Sequence, residues 1–196
     1  APQSFNFYGT LDNNAYTVAG QMLTGLVEAH PVTSAIRPAL AESWEVSENN
    51  KEVIFHLRDV NWSDGAPLVA DDVIFTFKYF IMNPVARGNS VDRFTIESQP
   101  IEWVKIDDKT VKAILPAPYA AFFTVLSHAY IYPSHALDSK IDKSRPDSVN
   151  DLWLTNTPPS EIPANGPFIL SEYIVDQKVV MTRNPNYWKV DVFGNK

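Results

Sequence analysis

The sequence predicts a mixed α+β fold, and three observations predict it. Residues 69–82 place Val73, Ile74, Phe77, Phe80 and Ile81 on one apolar stripe at helical spacing. "IEWVKIDDKTVKAIL" sets two alternating apolar segments on either side of Asp107-Asp108, the pattern of a β-hairpin. "PFILSEYI" followed by "QKVVMTRN" repeats that pattern, with Val175-Asp176 near the turn. Helix and antiparallel hairpins mixed in one chain define the class.

The remaining elements follow in order. In "SFNFYGT", Phe5, Phe7 and Gly9 alternate with polar or smaller residues, which predicts a short strand. "LDNNAY" predicts a turn, because Asp12, Asn13 and Asn14 readily bond their own backbone. From Thr17 the apolar residues Val18, Met22, Leu23 and Leu26 predict a helix to about Val27, and Pro31 and Pro38 mark a loop. "SENNKEVIFHLRDVNW" predicts a turn at Asn49-Asn50. A strand follows it, with Val53, Phe55 and Leu57 on its apolar face and His56 on the polar one. "NPVARGNS" is a loop, "PYAAFFTVLSH" a short helix, and residues 140–163 a long connection rich in Pro, Ser, Asp and Asn.

Composition narrows the function. The 196 residues are enough to bury a core, and 45% hydrophobic with 20% charged residues is ordinary for a globular protein. A net charge of -7 with scattered lysines and arginines excludes nucleic acid as the partner. No apolar run reaches the roughly 18 residues that a membrane span needs. Without cysteine there is no disulfide, thiolate metal site or Cys nucleophile. No signal peptide stands in the sequence; either it has been removed or there was none.

"WSDGAPLVADDVIFTF" is the densest cluster of carboxylates. A calcium loop with Gly65 at its sixth position would need ligands at Val60 and Trp62, so that reading fails. A carbohydrate-active enzyme using Asp64 with Asp71 or Asp72 as a carboxylate pair is one alternative. Turn and helix-start chemistry is the other: Asp64-Gly65 turns the chain, and Asp71 and Asp72 face the positive end of a helix dipole. His128 and His135 are a weak metal pair, since no cysteine or two-His helical motif supports them. Nucleophile-elbow, phosphate-loop and dinucleotide motifs do not occur. Among the aromatics, Tyr16 and Trp153 fall in predicted loops, where a ring with a polar tip suits a ligand cleft.

"LAESWEVSENNKEVIFHLRDVNWSDGAPLVADDVIFTF" and, far downstream, "NGPFILSEYIVDQKVVMTRNPNYW" resemble the family 5 solute-binding proteins of bacterial ABC importers. The resemblance runs from about Gly9 to Trp188. It implies a periplasmic-binding-protein-like lobe I with an inserted subdomain. Residues 1–44 would be the first part of lobe I, 45–162 the β-rich insert with its helices, and 163–196 the strands returning to the lobe. Family members are much longer, so the resemblance implies a fragment lacking lobe II.

The implied function is capture of an oligopeptide or oligosaccharide between two lobes and delivery to permease subunits. The implied protein is a monomeric, non-enzymatic one, periplasmic or extracellular and open to membrane tethering, without a cofactor. In the peptide-binding relatives the turn after the first strand touches ligand, which carries over to Asn13, Asn14 and Tyr16.

One position departs from the family pattern. Val69 stands where the family has Thr or Ser, three residues before Asp72, so the hydroxyl of an N-cap is missing. Val69→Thr is expected to stabilise the protein by about 0.5–2 kcal/mol in denaturant melts; an equal or lower midpoint would refute the capping assignment.

Overall fold

A computed structural model describes residues 2–190, 193 and 194. Its centre is a four-stranded antiparallel sheet of order β3-β4-β8-β7, formed by Ala41–Val46, Glu52–Leu57, Thr110–Ile114 and Glu102–Asp107. Val53, Phe55 and Leu57 of β4 and Val111 and Ala113 of β8 are buried, as the alternation predicts. His56 points the other way and bonds Glu45 across the β3–β4 pair at 3.0 Å.

Three further pairs surround this sheet. β1 (Val27–Ala29) pairs with β2 (Ile36–Pro38), β5 (Thr95–Ile96) with β6 (Gln99–Pro100), and β9 (Phe168–Ile174) with β10 (Lys178–Arg183). Both predicted hairpins are present, and Asp176 adopts a φ of 57° in the turn of the second.

The long apolar stripe folds as α2, Ala70–Thr76, continued by a π-helical turn over Phe77–Ile81. The stripe understates its burial. Asp72, Val73, Phe75, Thr76, Phe77, Phe80 and Ile81 are all buried, whereas Ile74 is only half-buried. The helix lies between two layers. Phe77 stacks on Trp103 of the sheet with centroids 4.0 Å apart, while Phe80 meets Tyr132 on the opposite side at 4.6 Å. Two shorter helices, α3 (Phe122–Leu126) and α4 (Ser134–Leu137), complete the helical layer. Phe122 and Phe123 of α3 close over Phe55.

The start of α2 explains the carboxylate cluster. Asp72 is completely buried, with no cation beside it among the described residues. Its Oδ2 accepts the Trp62 indole N–H at 3.0 Å and the Val69 N–H at 3.1 Å. Its Oδ1 accepts the Ser134 N–H at 2.8 Å and the Ser134 hydroxyl at 2.6 Å. Four donors replace the water that a buried carboxylate loses. Val69 occupies the N-cap with extended backbone and makes no side-chain cap bond, so only the Asp72 half of a capping box forms.

The N-terminal region departs from its predicted elements. "SFNFYGT" forms a single bridge, Ser4 with Leu154, and then a 3-10 turn over Phe7–Gly9 rather than a strand. The reason is Asn6, whose buried Oδ1 accepts from the Tyr8 and Gly9 N–H groups and from the Tyr132 hydroxyl. "LDNNAY" is likewise no turn. Asp12 accepts the Asn14 N–H as an N-cap, and α1 runs over Asn13–Met22.

That helix stops five residues short of the predicted Val27, because the Met22 carbonyl accepts the N–H groups of Asn165 and Gly166 from the downstream chain. A Cβ at Gly166 would fall 2.6 Å from the Met22 backbone, so this junction requires glycine. Trp153, predicted as a loop aromatic for a ligand, is buried instead. Its ring lies 4.9 Å from Tyr132, and its carbonyl accepts the Phe5 N–H at 2.8 Å.

Asp72→Asn replaces an acceptor by an NH₂ group facing two donors. It is expected to destabilise the protein by about 3 kcal/mol or more in urea melts. Asp64→Asn and Asp71→Asn, at more exposed positions, should leave the midpoint nearly unchanged. A midpoint for Asp72→Asn equal to theirs would contradict the buried network.

Candidate functional site

A cleft of about 510 Å³ opens beside the first turns of α1, where Phe7, Leu11, Tyr16, Arg87, Arg93 and His128 face one another. Asn6 sets the turn that carries Phe7, and the ring of Phe7 packs at 4.8 Å on Tyr16 and edge-on at 4.9 Å against Tyr130. Tyr16 is half-buried, and its hydroxyl donates to the Thr10 carbonyl at 2.9 Å. Burial first, and then the nearby Asp12 carboxylate, raise its pKa above the ordinary phenol value. The ring offers an apolar face with an anchored polar tip.

The opposite rim comes from the loop after α2. Asn83 donates to the Pro146 carbonyl and Asn150 to the Val85 carbonyl, while the Asn150 Oδ1 accepts the Arg87 N–H at 2.9 Å. Gly88 donates its N–H to the Tyr8 carbonyl, and its hypothetical Cβ would lie 2.9 Å from the Phe7 carbonyl. These bonds press the loop against the N-terminal segment and present the exposed Arg87 side chain to the cleft. Arg93 stands on a 3-10 turn, Val91–Phe94, anchored by buried Phe94 edge-on to Phe77 at 5.1 Å.

The residues chosen from sequence divide. Tyr16 lines this cleft. Asn13 and Asn14 are exposed on the first turn of α1 and are not among its lining residues. Arg87 in "NPVARGNS" and Arg93 in "VDRF" stand in aperiodic sequence that marks neither as a ligand contact, and His128 shows in the sequence only as half of a weak metal pair. The one signal in the sequence is a pair of arginines, one inside the turn-rich loop and one just after it.

Each aspartate of the carboxylate pair read from sequence is engaged with other partners. Asp72 is enclosed by four donors, out of reach of any substrate. Asp64 bonds the His135 ring at 2.8 Å and accepts the Ala66 N–H in its turn. Asp71 holds the Lys105 ammonium at 2.8 Å, and Asp108 holds it from the other side at 2.7 Å. Hydrogen bonds to Asp108 and then Asp71 push the lysine pKa up, while the same ammonium holds the Asp108 carboxyl below the usual range. His128 lines the cleft whereas His135 pairs with Asp64, and among the described residues no three His, Asp or Glu side chains converge as a metal site.

A second opening of about 640 Å³ lies between Glu42, Arg58, Asp59 and Trp188. Its guanidinium is already engaged, 4.4 Å over the Trp188 ring and donating through Nε to the Ala39 carbonyl at 2.7 Å.

Known proteins resemble this chain over nearly its whole length. The periplasmic oligopeptide-binding protein OppA of Escherichia coli K12 is 30% identical over 181 residues, covering 85% of this chain and 30% of the relative. The periplasmic alpha-galactoside-binding protein of Rhizobium meliloti 1021 is 30% identical over 173 residues, covering 81% of this chain and 24% of the relative. The periplasmic binding protein MelB of Agrobacterium fabrum C58, solved in complex with stachyose, superposes with a TM-score of 0.86 at 24% identity. It is matched over 100% of this chain and 31% of its own, which shows a shared fold. The chain thus spans less than a third of the length of these relatives. The profile of the bacterial extracellular solute-binding proteins, family 5 Middle, matches residues 35–195, and the chain belongs to that family.

Proposed function

We propose that this chain is the lobe I portion of the solute-binding component of an ABC importer. Residues 1–44 and 163–196 form the lobe, and residues 45–162 its inserted subdomain. It binds and does not catalyse. An oligopeptide or an oligosaccharide is captured between this lobe and a second one, and closure is stabilised by contacts the ligand makes on both sides. The loaded monomer then docks on permease subunits from the periplasmic or extracellular side, free or tethered to the membrane.

The observation that carries this reading is the cleft at Tyr16. It combines aromatic faces with two arginines that hold no carboxylate among the described residues, the composition of a small-ligand site. Family membership supplies the clamshell mechanism, and the peptide- and galactoside-binding relatives supply the two solute classes. Asn13 and Asn14, exposed on the first turn of α1, are proposed as further contacts for a longer ligand.

Calorimetric titration of the full-length protein with panels of short peptides and oligosaccharides tests the reading. Tyr16→Ala is expected to weaken the best ligand by about tenfold, the order of one lost aromatic contact. An unchanged affinity with an unchanged melting temperature would place the ligand elsewhere.

A further inference from the structure

The cleft beside Tyr16 carries unbalanced positive charge. Arg37, Arg145 and most of the lysines hold carboxylates. Arg87 and Arg93 form no ion pair among the described residues, although the chain as a whole carries a net charge of -7. The Arg87 fork reaches only the Gly9 carbonyl, at a long 3.5 Å, and the Arg93 guanidinium has no acceptor among the described residues. Asp12, the carboxylate whose charge bears on Tyr16, accepts the N–H groups of Gln3 and Asn14 and is not among the lining residues of the cleft.

Two features make these arginines more than solvated surface charges. Both stand on backbone that is fixed, Arg87 through Asn150 and Gly88, Arg93 through buried Phe94. Both also face a concavity whose other wall is apolar, formed by Phe7, the ring of Tyr16 and Leu11, which is 73% exposed. A low-dielectric wall strengthens the field of a cation in a cleft, and a guanidinium fork matches the two oxygens of a carboxylate.

Resting on the reading of this cleft as the solute-facing wall, we infer that the captured solute is an acid. Its carboxylate docks on Arg87 and Arg93, and its apolar portion lies across Leu11, Phe7 and Tyr16. His128, at the same rim, offers a further ring nitrogen. A peptide with a free C-terminus and a uronic oligosaccharide share this chemistry, and a neutral sugar lacks it.

Matched probes test the inference on the full-length protein. Trialanine is compared with trialanine amide, and trigalacturonic acid with a neutral galactose trimer, by calorimetric titration at low and high salt. At least one acid is expected to bind about tenfold or more tightly than its neutral counterpart, with the preference shrinking as salt rises. Arg93→Gln should reduce that preference and Arg87→Gln/Arg93→Gln should erase it, with the melting temperature unchanged. Tyr16→Ala should weaken acid and neutral probe alike.

A wild-type protein that prefers neither acid overturns the inference, as does a double variant that keeps the full preference. The underlying reading fails differently: neither Tyr16→Ala nor the arginine substitutions would then alter the binding of any probe, and both proposals fall together.

Discussion

A carboxylate sealed away from water, with no cation beside it among the described residues, holds this fold together. Asp72 joins the turn at Trp62 and the N-terminus of α2, which are near in sequence, to the start of α4 at Ser134, 62 residues on. Removing a carboxylate from water is costly, and only a complete donor set offsets that cost. The donors are therefore mutually dependent. If Ser134 moves, an anion is left under-solvated; if Trp62 moves, its buried indole loses its acceptor. Thr76, one turn along, extends the same logic by donating to the Asp72 carbonyl and accepting the Tyr132 N–H. This constraint fixes α2 between its two layers, and α2 in turn sets the loop that bears Arg87.

Asparagines do for the loops what disulfides cannot do in a cysteine-free chain. Asn6 ties the N-terminal turn to Val149 and Tyr132. Asn165 bonds Thr24 at 2.6 Å, Asn184 holds the Ala164 and Gly166 carbonyls, and Asn186 donates to the Trp62 carbonyl. An amide donates and accepts at once, so it can splice two irregular backbones where no ladder exists. The last link is instructive. "NPNYW" and "WSDG", more than a hundred residues apart, meet at Trp62, whose indole serves Asp72 and whose carbonyl serves Asn186. The two family motifs are two halves of one joint.

Periodic elements were legible, and irregular ones were not. The β7–β8 and β9–β10 hairpins, the buried face of β4 and the helix from residue 70 to 81 follow from alternation and helical spacing, because those patterns record which side faces the core. The N-terminal segment misled for a physical reason. Phe5 and Phe7 alternate like a strand, but the Asn6 side chain supplies the bonds that a neighbouring strand would have made. Trp153 misled in the same way: a polar, aperiodic context predicts exposure, yet its loop folds inward over Tyr132. At the cleft, Tyr16 was legible as a loop aromatic, although it sits on α1. Arg87 and Arg93 were not legible, since nothing local distinguishes a free arginine from a paired one.

The sequence by itself determined the class of fold, the family and the absence of sulfur chemistry, because periodicity, motif order and composition are properties of the chain. Tertiary structure alone decided the meaning of the charges. Of the three aspartates near Trp62, one turns the chain beside His135, one holds Lys105, and one is buried as the centre of a joint. Of the arginines, two line a cleft without an ion pair among the described residues. Charge acquires its role from distance and solvent exposure, and both are set by residues remote in sequence.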